Sequence, residues 1–262
     1  MAHDDDGSSN DRDDRTGGRN GLPPGIAKKD WIPPGIAKQE EQGRHVTATS
    51  HTRINLGDSN ATVTLRGQHV TVVGQDGNVT VTGKHTSFDR ITLGNGTDNV
   101  SLSGTHNKVT LGNGTDSVTL GPNSSNNTVT VGSGHDTITT VAGDTNNTFR
   151  LDASTSSLVL HGTDNNVFIN GGTDTITDSP GQFDKLTLHV GSGGGVIGIT
   201  NFSASNGVVD LVPSLGLTSS AAAAAALKSD GHGGSLLPFA GGSIDFQGVA
   251  LGSLHASNFH IT

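Results

Sequence analysis

The chain contains no cysteine and no tyrosine, and it has one tryptophan and eight phenylalanines among 262 residues, so aromatic side chains make up only 3%. With 31% hydrophobic residues, such a sequence cannot fill a thick globular core. A thin, repetitive core remains open to it. The lack of cysteine fits a reducing compartment and fits equally an exported protein built to avoid oxidation. No run approaches the roughly 18 apolar residues needed to cross a bilayer. The amino terminus, Met1-Ala2-His3-Asp4-Asp5-Asp6, lacks the basic and apolar regions of a cleaved signal peptide. Taken alone, these absences suggest a cytosolic protein. Basic residues are scarce as well: 15 Lys and Arg against 24 Asp and Glu leave a net charge of -9. No basic stripe is present to displace counterions from phosphates, so cations, not nucleic acids, are the expected partners.

What the chain does have is glycine, 39 residues of it, and a phrase spoken three times: Ile91-Thr-Leu-Gly-Asn-Gly-Thr-Asp-Asn-Val100, Val109-Thr-Leu-Gly-Asn-Gly-Thr-Asp-Ser-Val118 and Val129-Thr-Val-Gly-Ser-Gly-His-Asp-Thr-Ile138. Around it the chain divides into three parts. Residues 1–44 are a polar, disordered tail followed by the tandem Leu22-Pro-Pro-Gly-Ile-Ala-Lys28 and Ile32-Pro-Pro-Gly-Ile-Ala-Lys38, a semi-rigid spacer or a docking peptide. Residues 45–195 are the repeat domain, and residues 196–262 are a carboxy-terminal cap with a short helix expected from Thr218 to Leu227, where alanine dominates.

Within the repeat domain, apolar-polar-apolar triplets with period two read as short half-buried strands separated by Gly, Asn and Asp turns. Equivalent strand starts at Ile91, Val109, Val129, Phe149, Val167 and Leu186 lie 18, 20, 20, 18 and 19 residues apart. A second series falls midway, at Val63, Val79, Val100, Val118, Ile138, Leu158, Ile176 and Val196. Two strands and two turns per period make one coil, so the expected fold is all-β: a right-handed parallel β-roll or β-solenoid of about eight coils of 18–20 residues. Val109, Leu111, Val118 and Leu120 should point inward, and Thr110 and Thr119 outward.

The turns alternate between two kinds. In the first, Gly94-Asn-Gly-Thr-Asp98, Gly112-Asn-Gly-Thr-Asp116, Gly132-Ser-Gly-His-Asp136 and Gly171-Gly-Thr-Asp174, glycines allow a tight bend that gathers carbonyl oxygens beside a carboxylate. Calcium prefers six to eight oxygens of that mixed kind, and two turns one coil apart could each supply half a shell. In the second, Asn107, Asn127, Asn147 and Asn165 recur, with Asp89 and Asp184 in equivalent places. Stacked asparagines can hydrogen-bond along the axis without metal.

The first kind of turn resembles the glycine- and aspartate-rich nonapeptide of the repeats-in-toxin, or hemolysin-type, calcium-binding family, although Leu93, Leu111 and Val131 stand where that motif has its first glycine. Carried over residue by residue, the resemblance implies calcium ligation by Gly94, Asn95, Gly96, Asp98, Gly112, Asn113, Gly114, Asp116, Gly132, Ser133, Gly134 and Asp136. Two sites would share Asp116, with Asp174 a weaker candidate. The closing segment, with Ile199-Thr-Asn-Phe202, Val209-Asp-Leu211, the alanine-rich stretch, Ser243-Ile-Asp-Phe-Gln-Gly-Val249 and Leu254-His-Ala-Ser-Asn-Phe-His-Ile261, resembles the same family's secretion domain. That likeness implies export by type I secretion machinery with an uncleaved carboxy-terminal signal. It reverses the cytosolic reading in favour of a secreted, extracellular or cell-surface protein.

No catalytic constellation is evident: no nucleophile elbow, no HExxH and no cysteine. The twelve histidines, including His69, His85 and His106 in a Gly-x-His context, lack the i, i+4 pairing of a tetrahedral metal site and read as surface turn residues. The expected function is therefore non-enzymatic: a secreted calcium-binding β-roll serving as a structural or interaction component at the cell surface or extracellular matrix. Two alternatives stay open. One is a flat-face or ice-binding solenoid using outward Thr columns such as Thr62/Thr64, Asn78/Thr80, Ser117/Thr119 and Thr137/Thr139. The other is a subunit that self-assembles end to end into filaments.

Overall fold

The structure, a computed structural model, describes residues 44–152, 155–179 and 186–262; the amino-terminal tail, the Pro-Pro-Gly tandem and Asp184 lie outside them. The described chain is a parallel β-solenoid whose strands alternate between two sheets. In the first sheet, Arg44–Ala48, Ala61–Leu65, Val79–Ser87, Asn99–Thr105, Ser117–Leu120, His135–Thr139, Thr155–Leu160 and Thr173–Asp178 pair in succession, each with the strand one coil on. Between them run the strands of the second sheet: Arg53–Gly57, Thr71–Gly74, Arg90–Thr92, Lys108–Thr110, Thr128–Val131, Thr148–Leu151, Asn165–Ile169 and Leu186–Val190. Eight coils are therefore complete before Gly191.

Period-two patterning dictates the interior. Val109, Leu111, Val118 and Leu120 are buried and Thr110 and Thr119 face outward, as alternation across a strand requires. Stacking then turns each inward residue into one rung of an apolar column, Ile54, Val72, Ile91, Val109, Val129, Phe149, Val167 and Leu188. The second column is Val63, Val81, Val100, Val118, Ile138, Leu158, Ile176 and Ile199. No single coil buries enough surface to stand alone, so the coils hold one another.

The register corrects three expected strand positions. Val63 aligns with Val81 and Val167 with Leu188, so Val79 and Leu186 each sit one pleat early on the correct face. Ile176 aligns with Ile199, which leaves Val196 outward and 53% exposed. The Thr pair one coil past Thr62/Thr64 is accordingly Thr80/Thr82 and not Asn78/Thr80. At Val79, Leu186 and the Thr pair, alternation alone could not choose between same-face positions two residues apart, and at Val196 it could not fix which face the strand turns inward; the hydrogen-bonded ladder decides both.

The ladders continue into the closing segment, where Gly195–Thr200 and Gly242–Gln247 extend the first sheet and Val208–Leu211 and Phe259–Ile261 extend the second. The expected helix spans Ser220–Ala226, with the Ser219 hydroxyl accepting the Ala222 N–H at 3.1 Å. Two antiparallel strands, Ser235–Phe239 and Lys228–Ser229, fold onto the last first-sheet strand. Phe202, Phe246 and Phe259 meet edge to face, centroids 5.1 and 6.3 Å apart, and thicken the core where the repeat ends. At the other end the Arg44 guanidinium donates to the carbonyls of Leu56 and Asn55 at 2.7 and 3.0 Å, occupying acceptors at the edge of the second sheet.

Because Phe149 is fully buried in one column and Val196 stands outside the other, truncation should separate them. Phe149→Ala should cost about 3–5 kcal/mol in a denaturant melt, and Val196→Ser should stay within about 0.5 kcal/mol of the parent.

Candidate functional site

The turns leading from the second sheet to the first place Asp98, Asp116, Asp136 and Asp174 in one column. Its other rungs are Val79 before them, Ser156 between Asp136 and Asp174, and Ile197 after them. All four carboxylates are buried, with 1 to 2% of their surface exposed. The glycines explain how the backbone closes over them. A Cβ on Gly114 would lie 1.9 Å from the Gly96 carbonyl, one on Gly134 1.8 Å from that of Gly114, and both residues have positive φ. With these glycines the turns bridge directly, Gly96 to Gly114 and Gly114 to Gly134.

Each carboxylate uses one oxygen to hold the coil before it. Oδ1 of Asp98 accepts the N–H of Val79 at 2.8 Å, Oδ1 of Asp116 that of Asp98 at 2.9 Å, and Oδ1 of Asp136 that of Asp116 at 3.2 Å. Oδ1 of Asp174 accepts the N–H of Ser156 at 3.0 Å. The second oxygen, Oδ2, is buried without a partner in all four. Burial pushes the Asp98, Asp136 and Asp174 carboxyls up to about 6, countered in part by the backbone N–H each accepts; burial also raises Asp116.

The opposite turns show what a satisfied row looks like. The N–H groups of Asp89, Asn107, Asn127 and Asn147 donate to Oδ1 of Asn107, Asn127, Asn147 and Asn165 at 2.8–3.2 Å. Asn107, Asn127 and Asn147 also donate through Nδ2 to the carbonyls of Thr86, Gly104 and Ser124. Amide and carboxylate have one shape, but only the amide carries a donor for the second contact. Asp89, at the start of this row, has the same unpartnered Oδ2 as the aspartates opposite.

The remaining predicted ligands split into two groups. The side chains of Asn95, Asn113 and Ser133 lie on the exposed rim of the turns, where the Ser133 hydroxyl donates to Asn113 Oδ1 at 2.6 Å and Asn95 donates to Asp76 at 2.9 Å. The carbonyls of Gly94, Gly96, Asn113, Gly112, Gly114, Ser133 and Gly134 each accept one N–H from a neighbouring coil. A carbonyl keeps a second lone pair, so these oxygens, like the bare Oδ2 atoms, are hard donors of the kind calcium takes. Among the described residues no group of three or more His, Cys, Asp or Glu stands ready to hold a metal, so a shell here would lean on backbone oxygens.

Two clusters of rings come together through the register; of the histidines that share a Gly-x-His context, His69 and His106 enter the first, and Phe88 stands between them in place of His85. His51, His69, Phe88 and His106 occupy the same left-handed position of successive turns, and their rings stack at 4.9–5.2 Å. On the outer face of the second sheet, Arg150, Phe168, His189, Asp210 and His260 form a column. Arg150 lies over Phe168 at 4.2 Å, and His189 and His260 contact Asp210 at 2.9 and 3.2 Å. The Phe168 ring also stacks on His189 at 4.1 Å.

The carboxylate row sets a pH dependence. A carboxyl whose folded value lies above its unfolded one holds its proton more tightly in the fold, so protonation stabilises it. In chelator, stability should be highest below about pH 4 and fall as pH rises to about 6, where Asp98, Asp136 and Asp174 ionise. Thermal melts across that range check it, and a melting temperature that rose with pH would contradict the burial argument. Compared with family models, curated proteins and solved structures, the chain matches none.

Proposed function

We propose that the chain is a non-enzymatic calcium-binding β-solenoid, secreted and acting as a structural or interaction component at the cell surface or in an extracellular matrix. The observation that carries this reading is the row of unpartnered, buried Oδ2 atoms on Asp98, Asp116 and Asp136 in consecutive coils. Ionised at neutral pH, three carboxylates one coil apart repel each other and lack half their hydrogen bonds. A bound calcium ion would supply the missing positive charge. Asp98 and Asp116 would hold one ion and Asp116 and Asp136 a second, each with carbonyls of the adjoining Gly94, Gly112 and Gly132 turns, so that Asp116, with a carboxylate neighbour on either side, would serve both.

The likeness of these turns and of the closing segment to the repeats-in-toxin family supports the same reading and suggests type I export. Where calcium is scarce the acidic row opposes coil stacking and keeps the chain loose for transport; where calcium is abundant, binding and folding proceed together. The test is a calcium titration at pH 7.5 followed by circular dichroism and melting. Calcium should raise the melting temperature of the parent chain. Asp116→Asn, which copies the satisfied asparagine row, should raise the metal-free melting temperature by a few degrees and lose most of the calcium response. A parent chain whose melt ignores calcium would sink the proposal.

A second reading draws on the register, which aligns Thr64, Thr82, Ser101, Thr119 and Thr139 in one outward column and Thr62, Thr80, Asn99, Ser117 and Thr137 in the next. A flat, hydroxyl-bearing face of that kind suits an ordered ligand surface such as ice. Thermal hysteresis that disappears in a Thr119→Lys, Thr139→Lys double variant would support it, and no hysteresis in the parent chain would eliminate it.

A further inference from the structure

The third first-sheet strand, Val79–Ser87, departs from its neighbours. Gly83 stands in the inward column where the adjacent coils carry Leu65, Leu102 and Leu120, and the pairing register shifts between Gly83 and Thr86. A Cβ at Gly83 would approach Thr86 Cγ2 at 2.8 Å and Leu102 Cδ2 at 3.1 Å, so the buried Thr86 side chain occupies the space beside Gly83 that the neighbouring coils give to leucine. The bulge that follows turns Lys84 and His85 outward; His85 has φ 55°, and its N–H donates to the Ser103 hydroxyl at 3.0 Å.

Gly83, Lys84 and His85 lie between two adjoining depressions. On one side a groove of about 590 Å³ runs past Arg66 and Gln68 to Lys84 and His85. On the other, one of about 330 Å³ shares Gly83, Lys84 and His85 and runs past Ser103 to Asn123. The two together cross five coils along the solenoid axis, from Ser50 to Asn123. Their walls hold Arg66, Lys84 and His85, many hydroxyls and amides, and no carboxylate. That is unusual in a chain with 24 acidic and 15 basic residues. A lone charged residue on a surface needs no ligand; two cations and a histidine gathered in a carboxylate-free groove behind a bulge select for anions.

We infer that this groove binds an acidic polysaccharide, its carboxylate or sulfate groups on Arg66 and Lys84 and its hydroxyls on the Ser, Thr, Gln and Asn lining. The shape favours a chain over a small molecule, because the depression is long and open and repeats with the coil rise of about 4.8 Å, comparable with the length of a pyranose ring. The lining favours a sugar over a nucleic acid strand. Hydroxyls and amides pair with sugar hydroxyls, the cations are too few to follow a phosphate at every step, and the walls offer bases no Phe, Tyr or Trp to stack on, only the single imidazole of His85. The site uses none of the aspartate turns and stands apart from the calcium reading.

The test runs the full chain at one fixed calcium concentration against polygalacturonate, dextran sulfate, neutral dextran and an oligothymidylate, by calorimetry. Binding to polygalacturonate, dextran sulfate or both, with none to neutral dextran, is expected, and the preferred polymer tells carboxylate from sulfate. R66E/K84E should weaken that binding by about tenfold or more, whereas K108E/K228E, the same charge change elsewhere on the surface, should leave it within about twofold. Circular dichroism confirms that each variant folds. If R66E/K84E does not, R66Q/K84Q takes its place with the same direction of effect. No binding to either acidic polymer, indifference to the Arg66 and Lys84 substitutions, or equal affinity for the oligothymidylate overturns the inference.

Discussion

Every coil of this protein is held by the backbone hydrogen bonds it makes to the coils before and after it. A coil encloses only a few apolar side chains per strand, too little to offset the entropy of ordering its residues. Parallel pairing lays identical positions over one another, so whatever a coil puts inward becomes a column. Valine, isoleucine and leucine columns are simply a core. A column of aspartate is a row of buried like charges, and that is where the fold and its chemistry meet.

The two edges of the solenoid solve one problem with different side chains. Each turn leaves a backbone N–H in need of an acceptor, and each edge provides it from the side chain one coil on. On the asparagine edge the amide also donates, so Asn107, Asn127 and Asn147 close their hydrogen bonds within the protein. On the aspartate edge the second oxygen has nothing to accept from. The same stacking geometry thus closes the hydrogen bonds of one edge and leaves a bare acceptor at each aspartate of the other.

The other departures from uniformity fall where the repeat is interrupted. Gly83 and its bulge replace one leucine rung and open the basic groove; Arg150, Phe168, His189, Asp210 and His260 replace threonines on the outer face of the second sheet. A solenoid tolerates such exchanges because each outward residue touches only its neighbours one coil away. Local specialisation therefore costs the rest of the structure little.

Alternation of apolar and polar residues, with glycine and asparagine between, was enough by itself to determine an all-β stack of coils, the inward facing of Val109 and Val118, and the position of the alanine-rich helix, because those features depend on neighbours a few residues away. It also marked Asp98, Asp116 and Asp136 as equivalent. Only the tertiary structure decided which of two same-face residues aligns with the coil before, as at Val79 and Leu186, and that Val196 faces outward. The stacking likewise decided that the aspartates are buried with one oxygen engaged and the other bare, and it brought Arg66 beside Lys84 and His51 beside His69 and Phe88. These facts reside in contacts between residues about one coil apart, set by loop lengths and a bulge that a local pattern does not specify.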